Sequence, residues 1–182
     1  MEQYQFDEEL LEDEVSDVGS INHSMAQTKI TSLLDNDTRF FTFVELSLDA
    51  STIDLSKFNL KIKDELVPDV CVYVGSFPQP NKEIEADLIR VSQMPDLAIE
   101  ILAPSQSVNF LVKKIKAYFA LGIKSCWLVE PTVDVVHVYS QPNRHKTYDM
   151  SDLEVVDEIM DIHLSIHKIF KPSVSESSNI IM

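Results

Sequence analysis

Three side chains in this sequence have types and positions that suit chemistry on a phosphate: Asp69, Glu100 and Lys114. Asp69 follows Pro68 at the mouth of a predicted strand. Glu100 lies in a run where Leu97, Ile99 and Ile101 alternate with Asp96, Ala98 and Glu100, the period of a strand with two unlike faces. An ionised carboxylate among such neighbours is costly unless a cation or hydrogen bonds compensate it. Lys114 belongs to a predicted helix and falls at the edge of its apolar arc, flanked by Phe110, Tyr118 and Leu121, whereas Lys113 and Lys116 point the other way into water. If the two acidic strands are neighbours, their carboxylates could hold Mg²⁺, a hard ion that takes a few carboxylates plus water. The lysine could then orient the attacking water and stabilise negative charge on a phosphate. Each residue also has a plainer reading. Asp69 could be a turn carboxylate after proline, Glu100 an edge-strand residue facing water, and Lys114 a lysine whose stem lies on the core with its amine in solvent. Spacing leaves both sets of readings open.

The elements that must position these groups run from Pro95 to Pro131 as strand, polar turn, amphipathic helix, strand. Pro104-Ser105-Gln106-Ser107 ends the first strand and offers N-cap oxygens to a helix reaching about Leu121. Leu111, Ile115, Tyr118, Phe119 and Gly122 share its apolar face, and Gly122 stops it. Cys126 to Val129 is a short buried strand, and Val133 to Tyr139 pairs back on it as a hairpin. Upstream, residues 20–34 form a helix capped by Ser20 or Asn22, with Met25, Ile30, Leu33 and Leu34 as its stripe. Phe40 to Leu48 reads as one strand with Glu45 inside it, and Val67 to Val74 as another that tolerates Pro68 at its start. Leu60 and Ile62 hint at a short alternating strand, and residues 82–94 are a connection. Tyr148 and Val155-Val156 mark short edge strands, and Ile162 to Phe170 a closing strand or helix. This order points to an α/β domain with a mixed sheet flanked by helices.

Composition narrows the class. Of 182 residues, 45% are hydrophobic and 25% charged, the range of a soluble globular chain. No apolar run approaches a membrane span and the first residues are acidic, so neither a transmembrane helix nor a secretory signal is expected. Cys71 and Cys126 lie in predicted strands without a CxxC partner, and read as buried thiols of a reducing compartment, the cytoplasm. Residues 1–19 form an acidic tail, 20–171 the folded domain and 172–182 a serine-rich frayed end. The formal net charge is −15, and the first twenty residues hold eight carboxylates and no Lys or Arg, leaving −7 for the rest. That balance argues against a nucleic-acid binder, which normally displays a basic face. Three glycines, at 19, 75 and 122, exclude a glycine-rich phosphate loop.

The run from Pro68-Asp69-Val70, through Pro95-Asp96-Leu97-Ala98-Ile99-Glu100-Ile101-Leu102-Ala103-Pro104-Ser105, to Lys114, Tyr118, Gly122 and Trp127-Leu128-Val129-Glu130-Pro131 resembles the Uma-type restriction endonuclease family of the PD-(D/E)XK nuclease superfamily. The likeness spans about residues 20 to 170 and includes Asn22-His23 and the segment Val44 to Leu48. It implies a restriction-endonuclease-like mixed β-sheet flanked by α-helices, a homodimer, and Mg²⁺-dependent (or Mn²⁺-dependent) hydrolysis of DNA. By this resemblance Asp69, Glu100 and the main-chain carbonyl of Ile101 are metal ligands. The superfamily lysine would normally stand at Leu102, so its role passes to Lys114. His23 and Glu45 match positions near the site without an assigned role. The chain departs from the family pattern at Phe110, where an aspartate is usual, and at Ala103, where a serine is usual. Those departures and the acidic charge favour the alternative, a catalytically silent nuclease-fold module that binds a protein partner or oligomerises.

Overall fold

The computed structural model describes residues 19–170, so the expected serine-rich end and all but Gly19 of the acidic tail lie outside the described residues. The elements in order are α1 (Ile21–Asp35), β1 (Phe40–Val44), β2 (Leu48–Asp49), β3 (Glu65–Leu66), β4 (Val70–Val74), β5 (Leu97–Ile101), α2 (Val108–Ala120), β6 (Ser125–Glu130), β7 (Val135–Gln141), β8 (Arg144–Tyr148), β9 (Glu154–Asp157), β10 (Ile162–Ser165) and α3 (Ile166–Phe170). Six strands make one sheet in the order β1-β4-β5-β6-β7-β8. Only β5 and β6 run parallel, because α2 is the crossover between them; the other pairs are antiparallel.

Alternation along the central strands sends side chains to two layers. On one face Ile30 and Leu34 of α1 and Ile166 and Ile169 of α3 pack on Val70, Leu97, Ile99, Ile101 and Trp127. On the other, Leu111, Ile115 and Tyr118 of α2 pack on Ala98, Cys126 and Leu128, beside the β2–β3 ribbon. Glu100 falls in register with this second set, facing α2, and is only 2% exposed. The fold is therefore the expected α/β mixed sheet between helices. Cys71 and Cys126 are buried and unpaired as read from sequence, and burial pushes the Cys71 thiol up to about 12.

Several boundaries differ from the sequence reading. Phe40 to Leu48 is not one strand. The β1–β4 ladder ends where Val44 faces Val70, and Glu45 then adopts a left-handed φ of 52° and donates its N–H to the Asp69 carbonyl at 3.2 Å. The chain turns out of the sheet there, and Leu48 pairs with Leu66 in the separate ribbon. Leu60 and Ile62 form no strand. A 3₁₀ turn at Leu55–Phe58, capped by Asp54 and closed by left-handed Asn59, delivers Leu60 into the core, which accounts for the apolar spacing. Val67 and Pro68 precede β4 rather than open it. Residues 162–170 hold both a strand and a helix.

Candidate active site

Glu100 sits in β5, the strand flanked by β4 and β6, so no water reaches it from a sheet edge. What compensates it comes from α2. That helix starts where expected: Ser107 caps it by accepting the Phe110 N–H at 3.1 Å. Leu111, Lys114, Ile115 and Tyr118 are its buried stripe at three- and four-residue spacing. Lys114 Nζ stands 2.6 Å from Glu100 Oε1 and donates to the Val67 carbonyl at 3.1 Å, with its side chain 8% exposed. The Tyr118 hydroxyl, one turn further, donates to the same Oε1. Glu100 Oε2 takes no hydrogen bond among the described residues.

Burial pushes the Glu100 carboxyl up to about 7, the Lys114 cation opposing that rise and the Asp69 charge adding to it. Burial, then the charge of Glu100, raises the Tyr118 hydroxyl well above its ordinary range, so it stays a proton donor. A carboxyl whose folded value lies above its unfolded value near 4.5 binds more protons folded than unfolded between those values. Its contribution to stability is therefore full below about pH 4.5 and lost as pH rises through about 7. Unfolding by urea in chelator should show about 3 kcal/mol lost across that window, from the ~1.4 kcal/mol per pH unit that such a shift carries. Glu100→Gln should remove that slope, and an unchanged slope would refute the placement of the titration at Glu100.

Asp69 is placed by the parting of two strands. The β4–β5 ladder pairs Val70 with Ile99 and goes no further. Beyond it the Asp69 side chain replaces the missing main-chain acceptor: Oδ2 takes the Ile101 N–H at 2.6 Å and Oδ1 meets His23 Nε2 at 3.1 Å. Gln27 of α1 donates to the Asp69 carbonyl at 3.0 Å and approaches Glu45 Oε1 at 3.5 Å. An open cleft of about 530 Å³ runs over this fork, lined by His23, Gln27, Glu45, Val67, Asp69 and Ala103 among others. Glu100 and Lys114 are not among its lining residues; they lie behind Asp69 on the α2 side.

The structure thus brings Glu100 and Lys114 into direct contact, and sets Asp69 one main-chain hydrogen bond from Ile101, the residue after Glu100. The open water-facing readings of Glu100 and Lys114 do not hold. Ile101 is buried and bonds Asp69 through its N–H. Phe110, in the first turn of α2, packs against the core where the family pattern has an acid. Tyr118, read from sequence only as an apolar contact, is a polar partner of the site. Its spacing four residues after Lys114 was the available signal. His23 serves both the helix start and the site: its N–H bonds the Ser20 cap and its ring meets Asp69. Gln27 carried no signal.

The donor set fits a hard divalent cation. Among the described residues no three His, Cys, Asp or Glu side chains converge. Two carboxylates and a main-chain carbonyl are instead the sparse oxygen set that Mg²⁺ accepts, with water filling the remaining positions. The bond-free Oε2 of a buried Glu100 and the cleft-lining carboxylate of Asp69 are the atoms available to it.

A mixed sheet flanked by helices, whose central strands part at Asp69, is an arrangement of the restriction-endonuclease-like fold class. Residues 3–167 match the Uma2 family, described as "Putative restriction endonuclease", and the chain belongs to that family. It is similar to a solved protein from Anabaena variabilis ATCC 29413, described as "a putative nuclease belonging to DUF820", with a TM-score of 0.64 and 26% identity over 83% of this chain and 81% of that one. No curated protein matches. Among the described residues no helix is long and apolar enough to cross a membrane.

Proposed function

We propose that the protein hydrolyses phosphodiester bonds in DNA with Mg²⁺, held by Asp69, Glu100 and the Ile101 carbonyl, and with Lys114 beside the attacking water. The observation that carries this reading is the buried Glu100–Lys114 contact next to the fork at Asp69. A fold alone has no need for it, since an apolar pair of similar volume would serve stability as well or better. A bound Mg²⁺ would supply Lewis acidity and a water of lowered pKa.

The chain's own groups do the rest. Lys114 Nζ has three protons; two go to Glu100 and Val67, leaving one for a water or a phosphate oxygen. Because the amine is almost fully buried, it acts in a low dielectric and needs no reorganisation as charge develops. Tyr118 and Lys114 together pin Oε1, which fixes the direction of Oε2. His23 and the Ile101 N–H hold the Asp69 carboxylate against rotation.

The test is conversion of supercoiled plasmid, and cleavage of single-stranded DNA, in Mg²⁺ or Mn²⁺ against chelator. Asp69→Asn and Glu100→Gln should each abolish metal-dependent cleavage, and cleavage that survives both would overturn the assigned site. One observation favours the second reading, a silent module. Among the described residues the cleft over Asp69 is lined by two carboxylates and no Lys or Arg. That reading predicts no heat of Mn²⁺ binding by calorimetry and no cleavage of either DNA.

A further inference from the structure

Among the described residues the cleft is lined by no Lys or Arg, so a nucleic-acid substrate needs cationic anchorage elsewhere on the surface. The cations are unevenly placed along the chain. Residues 101–129 contain Lys113, Lys114, Lys116 and Lys124 and no Asp, Glu or Arg, whereas the remaining residues sum to −19. This acid-free stretch is the end of β5, all of α2 and most of β6. β5 and β6 are buried, so what it shows to solvent is the loop before α2, the outer face of α2 and the turn after it.

Of the four lysines, Lys114 is turned inward to Glu100 and Lys124 is committed to Asp96 at 2.7 Å. Lys113 and Lys116 lie on the outer side and, among the described residues, enter no ion pair. Lys116 also opens onto a concavity of about 490 Å³, lined by Phe58, Phe119, Lys124, Asn143 and neighbouring residues with no carboxylate.

We propose that the solvent face of α2, through Lys113 and Lys116, is the surface that binds the phosphate backbone of the nucleic acid and leads it to the cleft. The surface adjoins the site on two counts. α2 begins five residues after Ala103, which lines the cleft, and Lys114 ties the middle of the helix to Val67, another lining residue. The helix is about 20 Å long at 1.5 Å per residue, so a backbone lying along it passes both lysines within one site length.

The inference rests on the nuclease reading for the identity of its ligand, but it concerns binding and is measured apart from cleavage. A short labelled DNA duplex is titrated with the full chain, Ca²⁺ replacing Mg²⁺, and anisotropy gives the affinity between about 50 and 200 mM salt, the range over which phosphate contacts are lost steeply. Lys113→Gln and Lys116→Gln should each make the slope of log K against log salt shallower by about 0.9, the contribution of one phosphate contact on duplex DNA, with the loss independent of sequence. Lys29→Gln and Lys168→Gln, on the helices of the opposite layer, should leave the slope unchanged. A double variant with the wild-type slope, or a wild-type chain that binds no duplex at the lowest salt, would overturn the inference. The same preparations are assayed on plasmid in Mg²⁺. Shallower slopes without cleavage remove the hydrolytic reading and leave the binding surface, whereas cleavage with unchanged slopes does the reverse.

Discussion

Lys114→Met is expected to lower metal-dependent DNA cleavage by at least about 10²-fold, the usual effect of removing one preorganised charge donor, and to destabilise the fold at pH 8 by roughly 3 kcal/mol. Methionine fills nearly the same volume, so no cavity accompanies the change. What is lost is, among the described residues, the only cation in contact with Glu100, and an unpaired buried carboxylate is the expensive product of breaking such a pair. Because burial already holds the Glu100 carboxyl up at about 7, the destabilisation should shrink at pH 5.5, where the group is largely neutral in the folded state. Combining Lys114→Met with Glu100→Gln removes both charges and should recover most of the stability without recovering cleavage. Urea unfolding of the two single variants and the double, at both pH values, gives the coupling directly. A Lys114→Met protein that cleaves at the wild-type rate would end the catalytic assignment. One that is equally stable at pH 8 would show that the pair contributes nothing to the fold.

The second large effect lies away from the site. Asp157→Ala is expected to destabilise by about 3–5 kcal/mol, because it removes the acceptor of Trp127 Nε1 and of the Ile159 and Met160 N–H groups, each costing about 1–3 kcal/mol when buried and unpaired. Ser125 Oγ keeps the Tyr139 carbonyl at 3.4 Å, and admitted water recovers part of the loss. Asp157 is fully buried. Its Oδ2 accepts from Ser125 Oγ at 2.6 Å and Trp127 Nε1 at 2.8 Å, and its Oδ1 from the N–H groups of Ile159 and Met160 at 3.0 and 3.1 Å. One carboxylate thus ties the β9–β10 hairpin to β6, the strand beside Glu100. For a chain of this size the loss corresponds to roughly 6–20 °C in Tm. Thermal unfolding followed by the fluorescence of the single tryptophan checks it, and a loss under about 1 kcal/mol would show that Asp157 is not the clamp.

The β5–α2–β6 unit was the most legible part of the fold, since its strand alternation, its Ser107 cap, its helical stripe and Gly122 all agree locally. The misreadings share a different cause. Phe40 to Leu48 is apolar enough for one strand, yet it breaks at Glu45, which bonds the Asp69 carbonyl through its N–H but takes a left-handed φ of 52° that turns the chain out of the sheet. Leu60 is buried from a turn rather than from a strand, and a buried position does not reveal which element delivers it. Tyr118 looked apolar because its ring is, and nothing local showed that its hydroxyl would meet a carboxylate.

From residue order alone came the three chemical types, the face of its own element on which each lies, and the family. What only the folded chain decided is that β5 lies inside the sheet, that α2 covers the face carrying Ala98 and Glu100 rather than that of Leu97, Ile99 and Ile101, and that β4 and β5 separate where Asp69 can take the Ile101 N–H. The physical reason is that local periodicity sets the direction of a side chain relative to its own strand or helix. Sheet order, register and the point where a ladder stops depend on pairings between distant segments, and those determine which faces meet.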